Sequence, residues 1–306
     1  MTSGYGSVVF PDATPLLLEA LAQVPNPIGD LVVHMDRPDE AALIERLKGH
    51  AVAINNESYF TRTVIEQCPD LRAIVFLGTG YSSYIDVEAC AEHGVAVHGV
   101  TGYGDRTVAE HAIAMLFAVY RDIPRQDALM KSGGWDGAPI GELYGKTIGL
   151  VGFGAIARET ANIALALGMR VLVSSRRPVP DNRIRTLDLE SLLSEADIVS
   201  LHLALNPETL GLLDAARLRR MKRGSILINT ARAALLDESE LVAMLADGHL
   251  AGAAIDVYPT EPLPADHRLR KIPNLILTAH TGWQSPEAVG RLVSRAAEIV
   301  HAARAG

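Results

Sequence analysis

The 306-residue sequence predicts an α/β protein built as two doubly wound parallel-sheet domains. Three observations predict it. Short apolar, β-rich runs alternate with helical runs along almost the whole chain. The alternation breaks once, at a long helical stretch before residue 130, and then resumes. The length suits two domains of roughly 100–200 residues each. Alternating βα units favour a parallel sheet covered by helices on both faces.

In the first hundred residues, strands are expected at Val8–Phe10, Leu31–His34, Ala51–Asn55, Ala73–Leu77 and Val95–His98. Each is short, apolar and bounded by turn or capping residues. Helices are expected at Thr14–Leu21, Asp39–Leu47, Thr61–Gln67 and Asp86–His93, several opening on a Thr or Asp that can cap the first turn. A longer helical stretch follows from Thr107 to Met130, interrupted by Pro124. The loop Gly133-Gly134-Trp135-Asp136-Gly137 then reads as a connection between domains. Beyond it, six strands are expected at Thr147–Val151, Arg170–Ser174, Ile198–His202, Ser225–Asn229, Ala253–Val257 and Leu275–Leu277. Helices are expected at Ala155–Leu167, Asp188–Glu195, Asp237–Ala246 and Pro286–Ala303, the last with Ser285 as cap and Pro286 at its first position. Six strands with crossovers match a doubly wound dinucleotide-binding fold.

Composition narrows the function. Twenty-eight basic residues against 36 acidic ones give a net charge of -8, so no broad basic surface for nucleic acid is implied. Cys68 and Cys90 are too few for a disulfide framework or a four-thiolate zinc site, and two free thiols point to a reducing compartment, the cytoplasm. The N-terminal Met1-Thr2-Ser3-Gly4-Tyr5-Gly6 lacks the basic-then-apolar pattern of a signal peptide. No apolar run reaches the roughly 20 residues that span a bilayer, so no membrane partner is expected. His98, His111 and His202 read as structural histidines, and no spacing suggests a metal set.

The strongest motif is Gly152-Phe153-Gly154-Ala155-Ile156-Ala157, which follows Ile148-Gly149-Leu150-Val151 directly. It is G-x-G-x-x-A between a strand and a helix. Gly152 permits the tight turn, Gly154 lets a pyrophosphate approach the backbone, and Ala157 lets the helix pack close to the strand. Amides near Ala155 and Ile156 then face the anion at the favourable end of the helix dipole. This is the Rossmann arrangement, and the expected ligand is a dinucleotide of the NAD(P) kind. The next strand ends in Ser174-Ser175-Arg176-Arg177, where an NAD enzyme usually carries an acidic residue. Two guanidinium groups and two hydroxyls suit a 2′-phosphate, so NADP(H) is favoured over NAD(H).

Three further segments follow strands of the same sheet: Ile228-Asn229-Thr230-Ala231-Arg232-Ala233, Asp256-Val257-Tyr258-Pro259-Thr260-Glu261-Pro262, and Leu277-Thr278-Ala279-His280-Thr281-Gly282. Carboxyl ends of strands line the ligand crevice of such sheets. With Gly78-Thr79-Gly80-Tyr81, Val108-Ala109-Glu110-His111, Gly145-Lys146-Thr147, Val199-Ser200-Leu201-His202 and Asn206-Pro207-Glu208-Thr209, they make the chain resemble the D-isomer-specific 2-hydroxyacid dehydrogenases over nearly its whole length.

The resemblance implies a Rossmann cofactor domain (101–283) inserted in a flavodoxin-like substrate domain (1–100 plus 284–306), and hydride transfer between NADP(H) and a small 2-oxo or 2-hydroxy acid of D configuration. It implies that Arg232 binds the substrate carboxylate and polarises the carbonyl, and that His280 is the acid/base. Glu261 would orient His280 and favour its protonated form. Backbone amides of Leu77, Gly78, Thr79 and Gly80 would also hold the carboxylate. Asp256 would fix the cofactor near its nicotinamide by hydrogen bonding, with Leu203, Asn206, Thr230, Ala231, His280 and Gly282 beside it. It also implies a homodimer in contact through Thr107–Met130, with Trp135 near that contact.

Three departures surround this pocket: Ala233 stands where the family has glycine after the arginine, the glycine loop carries an extra residue, and Gly99 and Thr101 replace a familiar Asn and Pro. A regulatory protein of the same fold, binding dinucleotide with little turnover, is the alternative from another class. Oxidation of formate is disfavoured by Glu261, where that chemistry resembles one using Gln.

Overall fold

The computed structural model describes residues 7–137 and 140–305. The hexapeptide read for a signal sequence lies outside the described residues. The chain divides into two compact units, Met1–Gly104 with Gln284–Gly306, and Asp105–Trp283.

The first unit holds a five-stranded parallel sheet. Its strands are β1 (Val8–Phe10), β2 (Leu31–Val33), β3 (Val52–Asn55), β4 (Ala73–Phe76) and β5 (Ala96–Gly99), in the order β2-β1-β3-β4-β5. This is the flavodoxin-like order. Helices α1 (Pro15–Leu21), α2 (Glu40–Leu47), α3 (Arg62–Glu66) and α4 (Val87–Glu92) each start at a side-chain cap. Thr14, Asp39, Thr61 and Asp86 accept from the amides of Leu17, Ala42, Val64 and Ala89. Leu43, Leu47, Val64, Ile65 and Ala89 pack on Val9, Ala53 and Ile74 of the sheet. Among the described residues of this core are Cys68 and Cys90, both buried and unpaired, and burial pushes the Cys90 thiol up to about 11. The long helix that closes the chain, Pro286–Ala305, buries Ala288, Val289, Leu292, Val293, Ala296 and Val300 at helical spacing, and it contacts α1, β3 and β4.

The second unit begins with α5 (Asp105–Tyr120) and α6 (Ile123–Lys131). They replace the single helical stretch interrupted at Pro124. The break falls at Asp122, whose φ of 52° is left-handed, and Pro124 sits in the first turn of α6. A proline there loses no intrahelical hydrogen bond, so it starts a helix rather than ending one. The glycine-rich loop after α6, read as a connection between domains, lies inside this unit.

A seven-stranded parallel sheet follows. It comprises β6 (Thr147–Val151), β7 (Arg170–Ser174), β8 (Ile184–Thr186), β9 (Ile198–Leu201), β10 (Ser225–Asn229), β11 (Leu250–Ile255) and β12 (Leu275–Leu277), in the order β12-β11-β10-β9-β6-β7-β8. The crossover helices are α7 (Ala155–Ala166), α8 (Leu189–Glu195), α9 (Ala215–Leu218) and α10 (Glu238–Ala246), and Pro286–Ala305 is therefore α11. One more strand is present than the six expected. Strand β8 is a short edge with Arg185 and Thr186 exposed, so it carries no apolar signal. Strand β11 starts three residues early, at Leu250, because Ala251 and Gly252 have little β character; Leu250 and Gly252 nonetheless pair with Ser225 and Ile226 of β10, and Ala251 falls at a register shift between them. A Cβ on Gly252 would lie 2.6 Å from Val119 of α5, so close helix–sheet packing requires the glycine.

Neighbouring residues of one strand serve opposite faces. Ile148, Leu150, Ile226 and Ile228 pack with α5 and α7 through Ala112, Leu116, Ala157 and Ala161. Val151, Leu227, Ala253 and Ile255 pack with α8 and α10 through Leu192, Leu193, Leu241 and Met244. No helix among the described residues is long and apolar enough to cross a membrane.

Asp197 ties the sheet together at the amino ends of its strands. Its carboxylate accepts from the Thr147 amide and from Lys222 Nζ, at 2.8 and 2.9 Å. Burial opposes ionisation, but these bonds outweigh it and hold the carboxyl below its ordinary value. Asp197→Asn should therefore lower unfolding free energy at neutral pH by about 1–3 kcal/mol, the worth of charge-assisted hydrogen bonds. Because the folded-state pKa is the lower one, this contribution is present at neutral pH and lost as pH falls through that value. Urea titrations at neutral pH and near about pH 2 check it, and a stability gap that does not shrink in acid rejects the assignment.

Candidate active site

The turn after β6 carries the glycine motif. Gly152 has φ of +95°, and a Cβ there would meet the His202 carbonyl at 2.6 Å and Leu203 Cδ2 at 2.8 Å. Conformation and space thus both require glycine. His202 and Leu203 follow β9, so the turn lies where strand order reverses, between β6 and β9. A Cβ on Gly154 would meet nothing within 4 Å, which leaves the backbone open on that side. Gly154 caps α7 without a side chain, and the amides of Ala155, Ile156 and Ala157 open the helix with no intrahelical acceptor. Burial holds the His202 imidazole down to about 4, so it is neutral, and its Nε2 shares a 2.9 Å hydrogen bond with Ser200 Oγ.

After β7, Ser175 Oγ accepts from the Arg177 amide at 3.2 Å, and the Gly152 amide donates to the Ser174 carbonyl at 2.9 Å. Arg176 is 82% exposed and pairs with Glu208, itself 69% exposed. Glu208 is held in a turn by Asn206, whose Oδ1 accepts from the amides of Glu208 and Thr209. The buried Thr230 Oγ1 has no hydrogen-bond partner among the described residues. A turn that excludes Cβ, a helix opening with unspent amides and an orphaned hydroxyl fit a dinucleotide with its pyrophosphate at the α7 start.

Arg232 lies just past β10. Asn229, fully buried, accepts from the Ala231 amide at 3.0 Å and donates to the Arg232 carbonyl at 2.9 Å, which folds the turn that presents the arginine. The arginine Nη1 donates to the Ala231 carbonyl at 2.7 Å. Ala233 opens a short 3₁₀ turn, Ala233–Leu235, and is absent from the positive-φ positions, so a methyl group is accommodated there without strain. Sequence reasoning did not single out Asn229, although its place at a strand end beside Thr230 was a usable signal.

Glu261 and His280 meet although 19 residues separate them. His280 Nδ1 lies 2.8 Å from Glu261 Oε2, and Glu261 Oε1 accepts from the Tyr258 amide at 2.9 Å. Burial raises the Glu261 pKa, but the His280 hydrogen bond and charge, the Tyr258 amide and the Arg232 guanidinium outweigh it, so the carboxyl lies below its ordinary value. An ionised carboxylate can only accept, so Nδ1 carries the proton and Nε2 is left for other chemistry. His280 itself has φ of 53°, the left-handed region.

Asp256 is held by donors of its own chain. Its carboxylate is 2% exposed and turned onto its own chain. Oδ1 accepts from Thr278 Oγ1 at 2.5 Å and the Thr281 amide at 2.9 Å, and Oδ2 accepts from the Gly282 amide at 2.9 Å. Leu77, Gly78, Thr79 and Gly80 belong to the first unit. The Leu77 and Gly78 amides already donate to the Asn55 and Phe76 carbonyls, each at 2.8 Å, whereas no such bond engages those of Thr79 and Gly80 among the described residues.

Comparison with known proteins gives consistent matches. A profile of the D-isomer specific 2-hydroxyacid dehydrogenase, NAD binding domain, matches residues 113–282. The chain is 35% identical over 280 residues to a glycerate dehydrogenase of Methylorubrum extorquens, covering 88% of this chain and 87% of that one. It is 34% identical over 280 residues to a hydroxypyruvate reductase of Blautia hydrogenotrophica, covering 87% and 86%. Its fold superposes with a TM-score of 0.87 on an acyclic imino acid reductase in complex with NADPH and D-Arg, at 29% identity over 97% of this chain and 96% of that one.

Asn229→Ala should leave the Ala231 amide and the Arg232 carbonyl without their buried partner and cost about 1–3 kcal/mol of stability. Chemical denaturation measures this, and an unchanged midpoint would show that the turn holds without the amide.

Proposed function

The chain belongs to the D-isomer-specific 2-hydroxyacid dehydrogenases, an NAD(P)-dependent oxidoreductase acting on a CH–OH group, and we propose that it reduces a small 2-oxo acid with NADPH using His280 as the proton donor. The observation that carries this reading is the 2.8 Å contact between His280 Nδ1 and Glu261, which leaves Nε2 for the substrate. A glycerate dehydrogenase and a hydroxypyruvate reductase among the relatives support a short, polar 2-oxo acid as substrate.

A bound nicotinamide supplies the hydride to the carbonyl carbon. The chain's own residues do the rest. Arg232 binds the substrate carboxylate through two of its donors, which matches the planar arrangement of a 2-oxo acid's acceptors. Its charge also draws electron density toward the carbonyl oxygen. His280 gives that oxygen the proton from Nε2 as the hydride arrives, and takes it back in the oxidative direction. Glu261 keeps the ring in one tautomer and one orientation. The Thr79 and Gly80 amides of the first unit are proposed as further carboxylate donors, with Leu77 and Gly78 shaping their turn.

Dinucleotide binding is assigned to the glycine turn at Gly152 and Gly154, the α7 amides of Ala155 and Ile156, and Leu203, Asn206, Thr230, Ala231 and Gly282. Preference for NADPH is assigned to Ser174, Ser175, Arg176 and Arg177. The absence of a carboxylate among those four residues supports it, as does NADPH in a solved neighbour of the same fold. We propose a homodimer formed through the α5–α6 segment. Ile123 and Met130 on α6 and Trp135 just after it, the last 88% exposed, support that surface. The two buried, unpaired cysteines support a cytoplasmic setting.

His280→Ala should lower kcat for hydroxypyruvate or glyoxylate reduction about 10²–10⁴-fold, the usual range for general acid–base groups, with NADPH binding nearly unchanged. Undiminished turnover would remove His280 from the mechanism. Arg176→Ala should weaken NADPH binding about 10–100-fold, as expected for loss of a charge-assisted phosphate contact, and NADH binding far less. Fluorescence titration with both dinucleotides decides it, and equal weakening rejects recognition of the 2′-phosphate.

A further inference from the structure

We propose that His111 is a positioning residue for His280, acting from α5 through Thr278 and Asp256 on the loop that carries the imidazole. The proposal deepens the functional reading above and rests on it, since it concerns how the proton donor is held.

A proton inventory fixes the direction of the relay. Asp256, ionised and buried, can only accept. Burial raises its pKa, but the nearby His111 side chain and the hydrogen bonds from Thr278, Gly282 and Thr281 outweigh that and keep it low. Thr278 Oγ1, 2.5 Å from Asp256 Oδ1, therefore spends its one proton on the carboxylate. Its oxygen is then an acceptor toward His111 Nε2 at 3.1 Å. The chain runs from His111 Nε2–H to Thr278 Oγ1–H to Asp256 Oδ1, and this sets the tautomer of His111. Nε2 is 3.5 Å from Asp256 Oδ1, too far for a good direct bond.

Asp256 delivers the constraint. The two amides it holds, of Thr281 and Gly282, are the ones immediately after His280. His280 has a left-handed backbone, which is strained for a residue with a Cβ and persists only where the surroundings enforce it. A Cβ on Gly282 would meet Asp256 Oδ2 at 3.0 Å and His111 Cδ2 at 3.2 Å, so the loop packs on both side chains at once. His111 thus touches the segment on either side of the proton donor, at Thr278 before it and at Gly282 after it. Tyr258 supports the same stretch by donating its hydroxyl to the Thr278 carbonyl at 2.7 Å.

The test uses the full chain and two readouts. The first is hydrogen exchange of the Thr281 and Gly282 amides in protein without added dinucleotide. The second is kcat, KM and NADPH affinity with hydroxypyruvate. His111→Leu and Thr278→Val should each speed exchange of both amides and lower kcat about tenfold, the effect of losing one buried hydrogen bond, with NADPH affinity within about twofold. Thr278→Ser and His111→Gln, which keep a hydroxyl and an N–H donor, should recover most of both. Because both groups act in series, the double variant H111L/T278V should be no worse than about twofold beyond the poorer single variant. Unchanged exchange in both single variants, or losses that multiply in the double, would overturn the proposal. So would faster exchange with undiminished kcat in a chain that His280→Ala inactivates. Should His111→Leu fail to fold, Thr278→Val and its Ser rescue carry the same comparison. If the chain reduces no 2-oxo acid, or His280→Ala keeps full turnover, the functional reading fails, and the exchange comparison still decides whether the relay holds the loop.

Discussion

The second unit depends on the hydrogen-bonded register of one parallel sheet. Parallel pairing from β12 to β8 points every carboxyl end the same way. The residues just past those ends therefore collect along one edge, however distant they are in sequence. Gly152 follows β6, Ser174 ends β7, His202 follows β9, Arg232 follows β10, Asp256 follows β11 and His280 follows β12. A slip of one residue in a central pair would exchange that strand's side chains between the two differently shaped cores. Burial of Ile226 and Ile228 on one side and Leu227 on the other thus fixes where Arg232 emerges. The packing of the two cores thus secures the position of the edge residues.

Register places a strand end but does not shape the loop beyond it. Buried or half-buried polar side chains do that, and the same device recurs. Asp256 takes the amides after His280, Asn229 takes the amide before Arg232, and Asp197 takes the first amide of β6. In the first unit, Asp12 is buried and accepts from the amides of Asn56, Glu57 and Ser58 and from the Ser58 hydroxyl. An unpaired carboxylate in such places would cost several kcal/mol, so each loop is held in the one conformation that satisfies it. Such conformations tolerate strain, as His280 shows at φ of 53°.

This division explains what could be read from the sequence. Strands such as Val8–Phe10 and Ser225–Asn229, and caps such as Asp39 and Asp237, are local signals and stand where expected. Strand β8 escaped because only Ile184 is buried, and α9 because four residues are too few to show a period. The break at Asp122 has no sequence signal because a left-handed backbone leaves no apolar pattern, while Pro124, two residues further along, marks the start of the next helix. Around the candidate site, the glycine turn announces itself because its residues are contiguous. The His111–Thr278 contact spans 167 residues and involves side chains with ordinary structural readings. Such contacts follow from strand order and helix placement together, which no local pattern encodes. The position of Asp256 after β11 is legible in the sequence, but the direction of its carboxylate depends on the loop after β12.

The cofactor question turns on a different balance, one of exposed charge. Arg176 already has an anionic partner in Glu208, which at first sight opposes 2′-phosphate binding. Both side chains are largely in water, where such a pair is worth about 0–1 kcal/mol and is screened by salt. A phosphate held by the serine hydroxyls as well as the guanidinium would gain charge-assisted bonds worth about 1.5–3 kcal/mol each. Glu208 is therefore a weak competitor for the Arg176 guanidinium. A carboxylate on β7 itself would behave differently, because it would lie against the ribose and repel the phosphate with nothing to displace it. The position of an acidic residue relative to the second strand, rather than its presence nearby, decides which dinucleotide the turn prefers.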